Sequence, residues 1–357
     1  MPEKKYTRRE ILRLGLGALV APAAASVLSA CSSGPEERVV NFYNWSRYIG
    51  KDTLAKFTAE TGIKVNYEEM ADEEELFAKL RSGARGYDLI VGTDYMMPRL
   101  KAMNLVDAYP PGVLKNAGNI DKKFRDTPYD PDNAFTVPYL WGTTGIGYSK
   151  KLIAKAPSSW TALWDAKYSG KIAMLDNARD CVSTALLLKG YSETTADDKQ
   201  LDEAKALLLQ QRPLVKQYSS STYMDSLLAG EVSLCMAWSG DVLQVSRENP
   251  HLDYVIPNEG SYMWVDNLCL VRGSQHREDT LRLVDYLLRA DVAADIANTV
   301  RYASPNAAAF KHLDPALSQD PRVFPPKSMQ EILRFHSLLD PATEQAWNDL
   351  WQDVKVG

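Results

Sequence analysis

Short β-branched or aromatic runs alternate with helix-period stretches along most of the chain. Val39 to Tyr43 reads as a strand, Asp52 to Thr61 as a helix with Leu54 and Phe57 on one face and Gly62 as its stop, and Ile63 to Tyr67 as the next strand. The scheme repeats in Glu73 to Arg81, where Leu76, Phe77 and Leu80 recur at helical spacing, followed by Gly83 and the buried-type strand Tyr87 to Val91. Successive βα units predict a parallel sheet. Tyr109-Pro110-Pro111-Gly112 and Thr127 to Asp132 are turn-rich, and the extended run Phe135 to Tyr148, with Trp141 and three glycines, marks a first passage between domains. A second α/β set follows, with Lys171 to Leu175 and Val232 to Ala237 as strands and Val182 to Leu188 and Leu201 to Leu209 as helices. Trp264 to Val271 reads as a strand feeding a helix over Glu278 to Arg289, with Leu281, Val284, Leu287 and Leu288 inward. Asp340 to Val356 carries Trp347, Leu350 and Trp351 at helical spacing and reads as a closing helix. This alternation places the chain in the α/β class.

The first residues break the pattern. Thr7-Arg8-Arg9-Glu10-Ile11-Leu12-Arg13 sets paired arginines before an apolar run from Leu14 to Ala30, and Leu28-Ser29-Ala30-Cys31 puts small residues directly ahead of a cysteine. This pattern predicts a twin-arginine signal with a lipoprotein cleavage site: residues 1–30 as a removed leader, 31–37 as a tether lipidated on Cys31, and a body held at a membrane face outside the cytoplasm. An uncleaved transmembrane anchor is the competing reading. It is disfavoured because the run falls short of the ~20 residues a span needs and contains Gly15, Gly17 and Pro22.

Removing the leader changes the charge. The full chain carries −5 and the leader, with five basic and two acidic residues, +3, so the body carries −8. No basic stripe survives, which argues against nucleic acid as a partner and leaves a cationic small ligand or a solvated acidic surface. With Cys31 assigned to lipid, Cys181, Cys235 and Cys269 are an odd, widely spaced set. They form neither a disulfide framework nor a zinc pattern, and the apolar runs around Cys235 and Cys269 favour buried thiols over a bridge between them. The four histidines, His251, His276, His312 and His336, fall in polar or turn-like contexts without metal-ligand spacing. No nucleophile elbow, phosphate-cradling loop or dinucleotide fingerprint follows a strand. Gly142-Thr143-Thr144-Gly145-Ile146-Gly147 lies in an extended run with no helix after it, so its glycines are expected to let two backbones approach closely. Neither a catalytic constellation nor a metal or cofactor is expected.

What recurs is an aromatic residue beside a small polar or acidic one at the ends of strands: Trp45-Ser46-Arg47-Tyr48, Thr93-Asp94-Tyr95, Asp176 to Asp180, Trp238-Ser239-Gly240-Asp241 and Trp264-Val265-Asp266. In open α/β sheets ligands gather outside the carboxyl ends of strands. Aromatic faces attract ammonium groups and cover methylene stems, and carboxylates pair with the charges. An elongated organic polycation suits such a set.

Phe42 to Ile49, Phe57 to Val65, Tyr87 to Val91, Pro138 to Tyr148 and Tyr286 to Ala293 resemble, in unchanged order, the periplasmic spermidine/putrescine-binding proteins of polyamine ABC transporters. The resemblance implies a two-lobed periplasmic-binding-protein fold of type II, with crossing strands between lobes and a ligand cleft. The lobes are expected at 38–142 with 265–310 and at 143–264 with 311–357. It places Trp45, Ser46, Tyr48, Thr93, Tyr95, Asp180, Trp238, Asp241, Trp264, Asp266 and Tyr302 on ligand-contacting positions. Trp264 and Asp266 match the family's Trp-x-Asp, Asp241 the acid of the putrescine-type Trp-x-Gly-Asp, and Asp180 stands where a glutamate is usual. Arg47 replaces an acid and Asn177 an aspartate, each removing negative charge near one end of the cleft. No site residue is carried over from the last forty residues.

The expected function is capture of putrescine or spermidine outside the cytoplasmic membrane and delivery to an ABC permease, by a monomer that makes and breaks no bond. Two alternatives stand beside it: a relative that binds another organic cation or a metal ion, and an exported glycan hydrolase using Asp180, Asp241 and Asp266 as paired carboxylates.

Overall fold

The computed structural model describes residues 38–70, 73–83 and 86–356; the expected leader, tether and Cys31 lie outside the described residues. The elements run β1 (Val39–Trp45), α1 (Thr53–Thr61), β2 (Lys64–Met70), α2 (Glu73–Arg81), β3 (Leu89–Thr93), α3 (Met97–Ala102), β4 (Val106–Asp107) and β5 (Val137–Ser149). There follow β6 (Ile172–Met174), α4 (Ala178–Lys189), α5 (Asp198–Gln211), β7 (Val215–Tyr218), α6 (Tyr223–Leu228), β8 (Leu234–Trp238), α7 (Ser239–Glu248) and β9 (Leu252–Val255). The chain closes with β10 (Ser261–Val271), α8 (Arg277–Leu287), α9 (Ala290–Val300), α10 (Pro315–Ser318), α11 (Lys327–Gln330), β11 (Leu333–Phe335) and α12 (Pro341–Val356). Among the described residues no helix is long and apolar enough to cross a membrane.

Local signals explain the main boundaries. Gly62 takes the left-handed conformation that glycine adopts without steric penalty, and its N–H reaches the Thr58 carbonyl to end α1. Glu73, Glu74 and Glu75 open α2 while Lys79 and Arg81 close it, matching the helix dipole at both ends. One boundary differs from the sequence reading: α4 begins at Ala178 instead of Val182. The Asn177 side chain accepts from the Asp180 N–H at 2.9 Å and caps the helix, so Asp180 stands on its first turn. In α8, Leu283 is fully buried and Leu281 only half-buried, one position off the expected face.

The strands follow the path β2-β1-β3-β10-β5-β8-β6-β7, with β4 and β11 also paired to β10 and β9 to β5. As the βα units require, β1 pairs in parallel with β2 and β3, and β6 with β7 and β8. β5 and β10 join the two parallel sets. Residues 137–143 of β5 run antiparallel to β10, and 144–149 run antiparallel to β8 and β9. Every residue of β5 is buried. A Cβ at Gly145 would lie 2.5 Å from the Val255 carbonyl oxygen, so this glycine does permit close backbone approach; one at Gly142 would instead strike the Trp264 and Tyr302 rings.

Two clusters of apolar side chains result. The first gathers Phe42, Leu89, Leu268, Val284 and Ile296 around β1, β3 and β10; the second gathers Trp160, Ile172, Leu186, Met236, Trp347 and Trp351 around β6, β8, α4 and α12. Trp238 packs against both. Leu313, Leu317 and Val323, which the sequence reading grouped with the second lobe, and Trp264, set at that lobe's end, pack into the first cluster. Cys181, Cys235 and Cys269 are buried free thiols, Cys269 in the first cluster and the other two in the second.

Gly145→Ala should destabilise the fold by about 1–3 kcal/mol, because the Val255 carbonyl belongs to a paired strand and cannot move aside freely. Urea unfolding measures it; a variant as stable as wild type would show that β5 and β9 are less tightly apposed than described.

Candidate functional site

The loops after β1, β3, β6 and β8, together with the middle of β10, converge on one cavity. All eleven side chains singled out from the sequence line it: Trp45, Ser46, Tyr48, Thr93, Tyr95, Asp180, Trp238, Asp241, Trp264, Asp266 and Tyr302. Five aromatic rings make a continuous wall. Trp45 lies 6.2 Å from Trp238, Trp238 6.5 Å from Trp264, Trp264 5.2 Å from Tyr302, and Tyr302 5.2 Å from Tyr48, all tilted or edge-to-face.

Three carboxylates are held between these rings by hydroxyl and indole donors. The Tyr48 hydroxyl donates to Asp266 Oδ2 at 2.7 Å. Asp241 accepts from the Tyr302 and Tyr223 hydroxyls, each at 2.7 Å. Asp180 accepts from Thr144 Oγ1 at 2.7 Å and Trp238 Nε1 at 3.1 Å. Thr93 turns its hydroxyl away, donating to the buried Glu73 at 2.7 Å, and Ser46 donates to Glu69 at 2.8 Å.

The model of the bacterial extracellular solute-binding protein family matches residues 52–325. The chain belongs to that family. It is 33% identical over 309 residues to the spermidine/putrescine-binding periplasmic protein of Escherichia coli, covering 86% of this chain and 89% of that one. It is 30% identical over 358 residues to a putrescine-binding periplasmic protein of Pseudomonas aeruginosa, covering 95% and 98%. The solved structure of a putative spermidine/putrescine ABC transporter from Listeria monocytogenes superposes with a TM-score of 0.85 at 29% identity, covering 89% of this chain and 99% of that one. The family and these relatives are solute-binding proteins of transport systems, and the α/β fold of this solute-binding protein is the fold they share.

Several lining residues were not among the eleven singled out as ligand-contacting. Met70, Asn177, Ser220, Ser221, Met224 and His336 also face the cavity of this solute-binding protein. Ser220 and Ser221 follow β7, so the rule that ligands gather at strand ends could have found them; Asn177 stood out only as a departure from the family. His336, one of the histidines read as lying in polar or turn-like contexts and part of the last forty residues from which no site residue was carried over, lies just past β11 and lines the cavity. It is buried, stacked on Tyr262 at 4.5 Å, and part of the wall. Arg47 is absent from the wall: its guanidinium bonds Asp225 at 3.1 Å, both side chains half exposed.

Burial sets the electrostatics. It pushes the Asp266 carboxyl up to about 7 against the Tyr48 hydrogen bond, and Asp241 up to about 6 against two tyrosine hydrogen bonds. Behind the wall, burial lifts Glu73 to about 8 and Asp94 to about 7. Asp266 Oδ1 and Trp264 Nε1 are buried without a hydrogen-bond partner. Asp266 therefore takes up its proton more readily in the folded protein than in the unfolded chain, where a carboxyl titrates near ~3.9, so its ionisation opposes folding above about 7 and has no effect below about 4. Asp266→Asn keeps an acceptor for Tyr48 and removes that charge. In polyamine-free buffer at pH 8 it should raise the melting temperature, with the advantage shrinking as pH falls through 7 towards 4; a lower melting temperature at pH 8 would contradict this account.

Proposed function

We propose that this chain is the extracytoplasmic capture component of a polyamine ABC transporter, binding putrescine or spermidine and delivering it to the membrane permease. The observation that carries the reading is the aromatic wall with Asp180, Asp241 and Asp266 set into it, each already bonded by a hydroxyl or indole donor and so fixed in place for an incoming cation. A diamine or triamine supplies ammonium groups for such carboxylates and methylene stems for the rings between them. The names of the relatives support the same ligand class. Three lining acids, with Arg47 engaged by Asp225, favour two or three ammonium groups over the four of spermine.

Capture works by closure. The lobes follow the two apolar clusters and β5 and β10 are the strands that cross between them; ligand contacts to both lobes exist together only in the closed form, so the ligand shifts the population towards it. Tyr48 with Asp266 supplies one side, Asp180 with Trp238 the other. Upstream, Cys31 carries the lipid that holds the protein at the membrane, and fatty-acid labelling lost in Cys31→Ala is the outcome that supports it; unlabelled wild type would oppose it.

Calorimetric titration with putrescine, spermidine and spermine tests the ligand. Asp266→Asn should lose ~2–5 kcal/mol of binding by leaving an ammonium unpaired, and Trp264→Ala a comparable amount. Both variants binding like wild type would overturn the site. A glycan hydrolase built on the same acids would instead be stabilised against heat by sugars and unaffected by polyamines.

A further inference from the structure

His336 reaches the cavity from far along the chain. β11 pairs in parallel with the first residues of β10, Leu333 opposite Ser261 and Phe335 opposite Met263. Gly260, at a positive φ of 98°, makes this seat possible: a Cβ there would lie 2.4 Å from the Ile332 carbonyl oxygen. The strand delivers the His336 ring onto the face of Tyr262, with ring centroids 4.5 Å apart and planes 10° from parallel, and against the edge of Tyr95 at 5.8 Å. Its side chain is 2% exposed and its Nε2 lies 3.6 Å from Asp180 Oδ1, one of the carboxylates in the cavity wall. Its Nδ1 is buried without a partner.

Two neutral aromatic rings, one stacked and one edge-on, hold this ring, and its charge decides what Asp180 sees. We propose that His336 makes solute capture sensitive to pH: its neutral ring leaves Asp180 to a ligand ammonium, and its protonated ring occupies that carboxylate and repels the ligand. The inference rests on the polyamine reading and adds a proton as a competitor for one of its anchoring carboxylates. The groups facing the ring are Asp180 and Arg179 on α4, Glu193 beyond its end, and the hydroxyl-bearing rings Tyr95 and Tyr262; Arg334 on β11 is exposed. Burial holds the imidazole below its usual range, Asp180 and Glu193 favour its proton, and Arg179 opposes it. At neutral pH the ring is uncharged, and a bound ammonium beside Asp180 lowers its proton affinity further. Protonation of Asp241 and Asp266 weakens cation binding in the same direction, so the histidine's share must be read by difference.

Spermidine affinity is therefore compared at pH 5.0 and 8.0 for wild type and His336→Gln, which keeps a polar side chain and removes the titration. The ratio of dissociation constants, pH 5.0 over pH 8.0, should be at least about three-fold smaller in His336→Gln. Equal ratios, including an equal loss of affinity at both pH values, would overturn the proposal by making His336 a structural residue only. In wild type, heteronuclear spectra of the four imidazoles provide a test free of any variant: one should titrate at lower pH when spermidine is bound, and no ligand-dependent shift would overturn the proposal. Wild type that binds no polyamine at pH 8.0 is a different result, and it would remove the polyamine reading itself.

Discussion

A buried carboxylate without a cation is the constraint on which the site depends. Taking a carboxylate out of water costs several kcal/mol unless it is paired, and here Asp241 and Asp266 are buried beside aromatic rings. Tyrosine hydroxyls recover part of the loss and fix the oxygens, yet burial still dominates, pushing both acids up to about 6 and 7. Among the described residues no lysine or arginine lines the cavity: Arg47 is turned to Asp225, and Arg179 lies between the Tyr95 and Trp347 rings with its Nη2 on the Ser337 carbonyl. In the proposed function a ligand ammonium supplies the positive charge.

The fold builds that arrangement from elements packed on both of its apolar clusters. Asp266 is on β10 and pairs with the loop after β1, while Asp180 and Asp241 stand on the first turns of α4 and α7, where backbone N–H groups favour negative charge. Trp238 packs against both clusters, so its indole, bonded to Asp180, ties the wall to the packing on either side. Gly142 serves this geometry directly, because only a residue without a side chain leaves space for the Trp264 and Tyr302 rings.

Much of this was legible in the sequence. β-branched and aromatic runs and helical spacing identified most of the strands and helices, and the aromatic-acid pairs at strand ends, taken with the family resemblance, named the eleven side chains that share the cavity. What was hidden depends on distant partners. Glu73 was named only as the start of a helix, and it is buried with the N–H and hydroxyl of Thr93 both reaching it at 2.7 Å. His336 had no local signal, since its place follows from β11 joining β10. Asn177 looked like a charge change in the ligand site, and its side-chain oxygen caps α4 while its amide reaches Tyr95. Patterns of neighbouring residues reveal elements; pairings across long stretches of chain decide which polar groups are buried together.

The central claim is that the cavity's acids hold protons that a cation displaces. Calorimetry of spermidine binding at pH 6.5, repeated in buffers of different ionisation enthalpy, counts those protons directly. The account predicts a net release of protons on binding, larger at pH 6.5 than at pH 8.5. Binding with no proton release at either pH would contradict it.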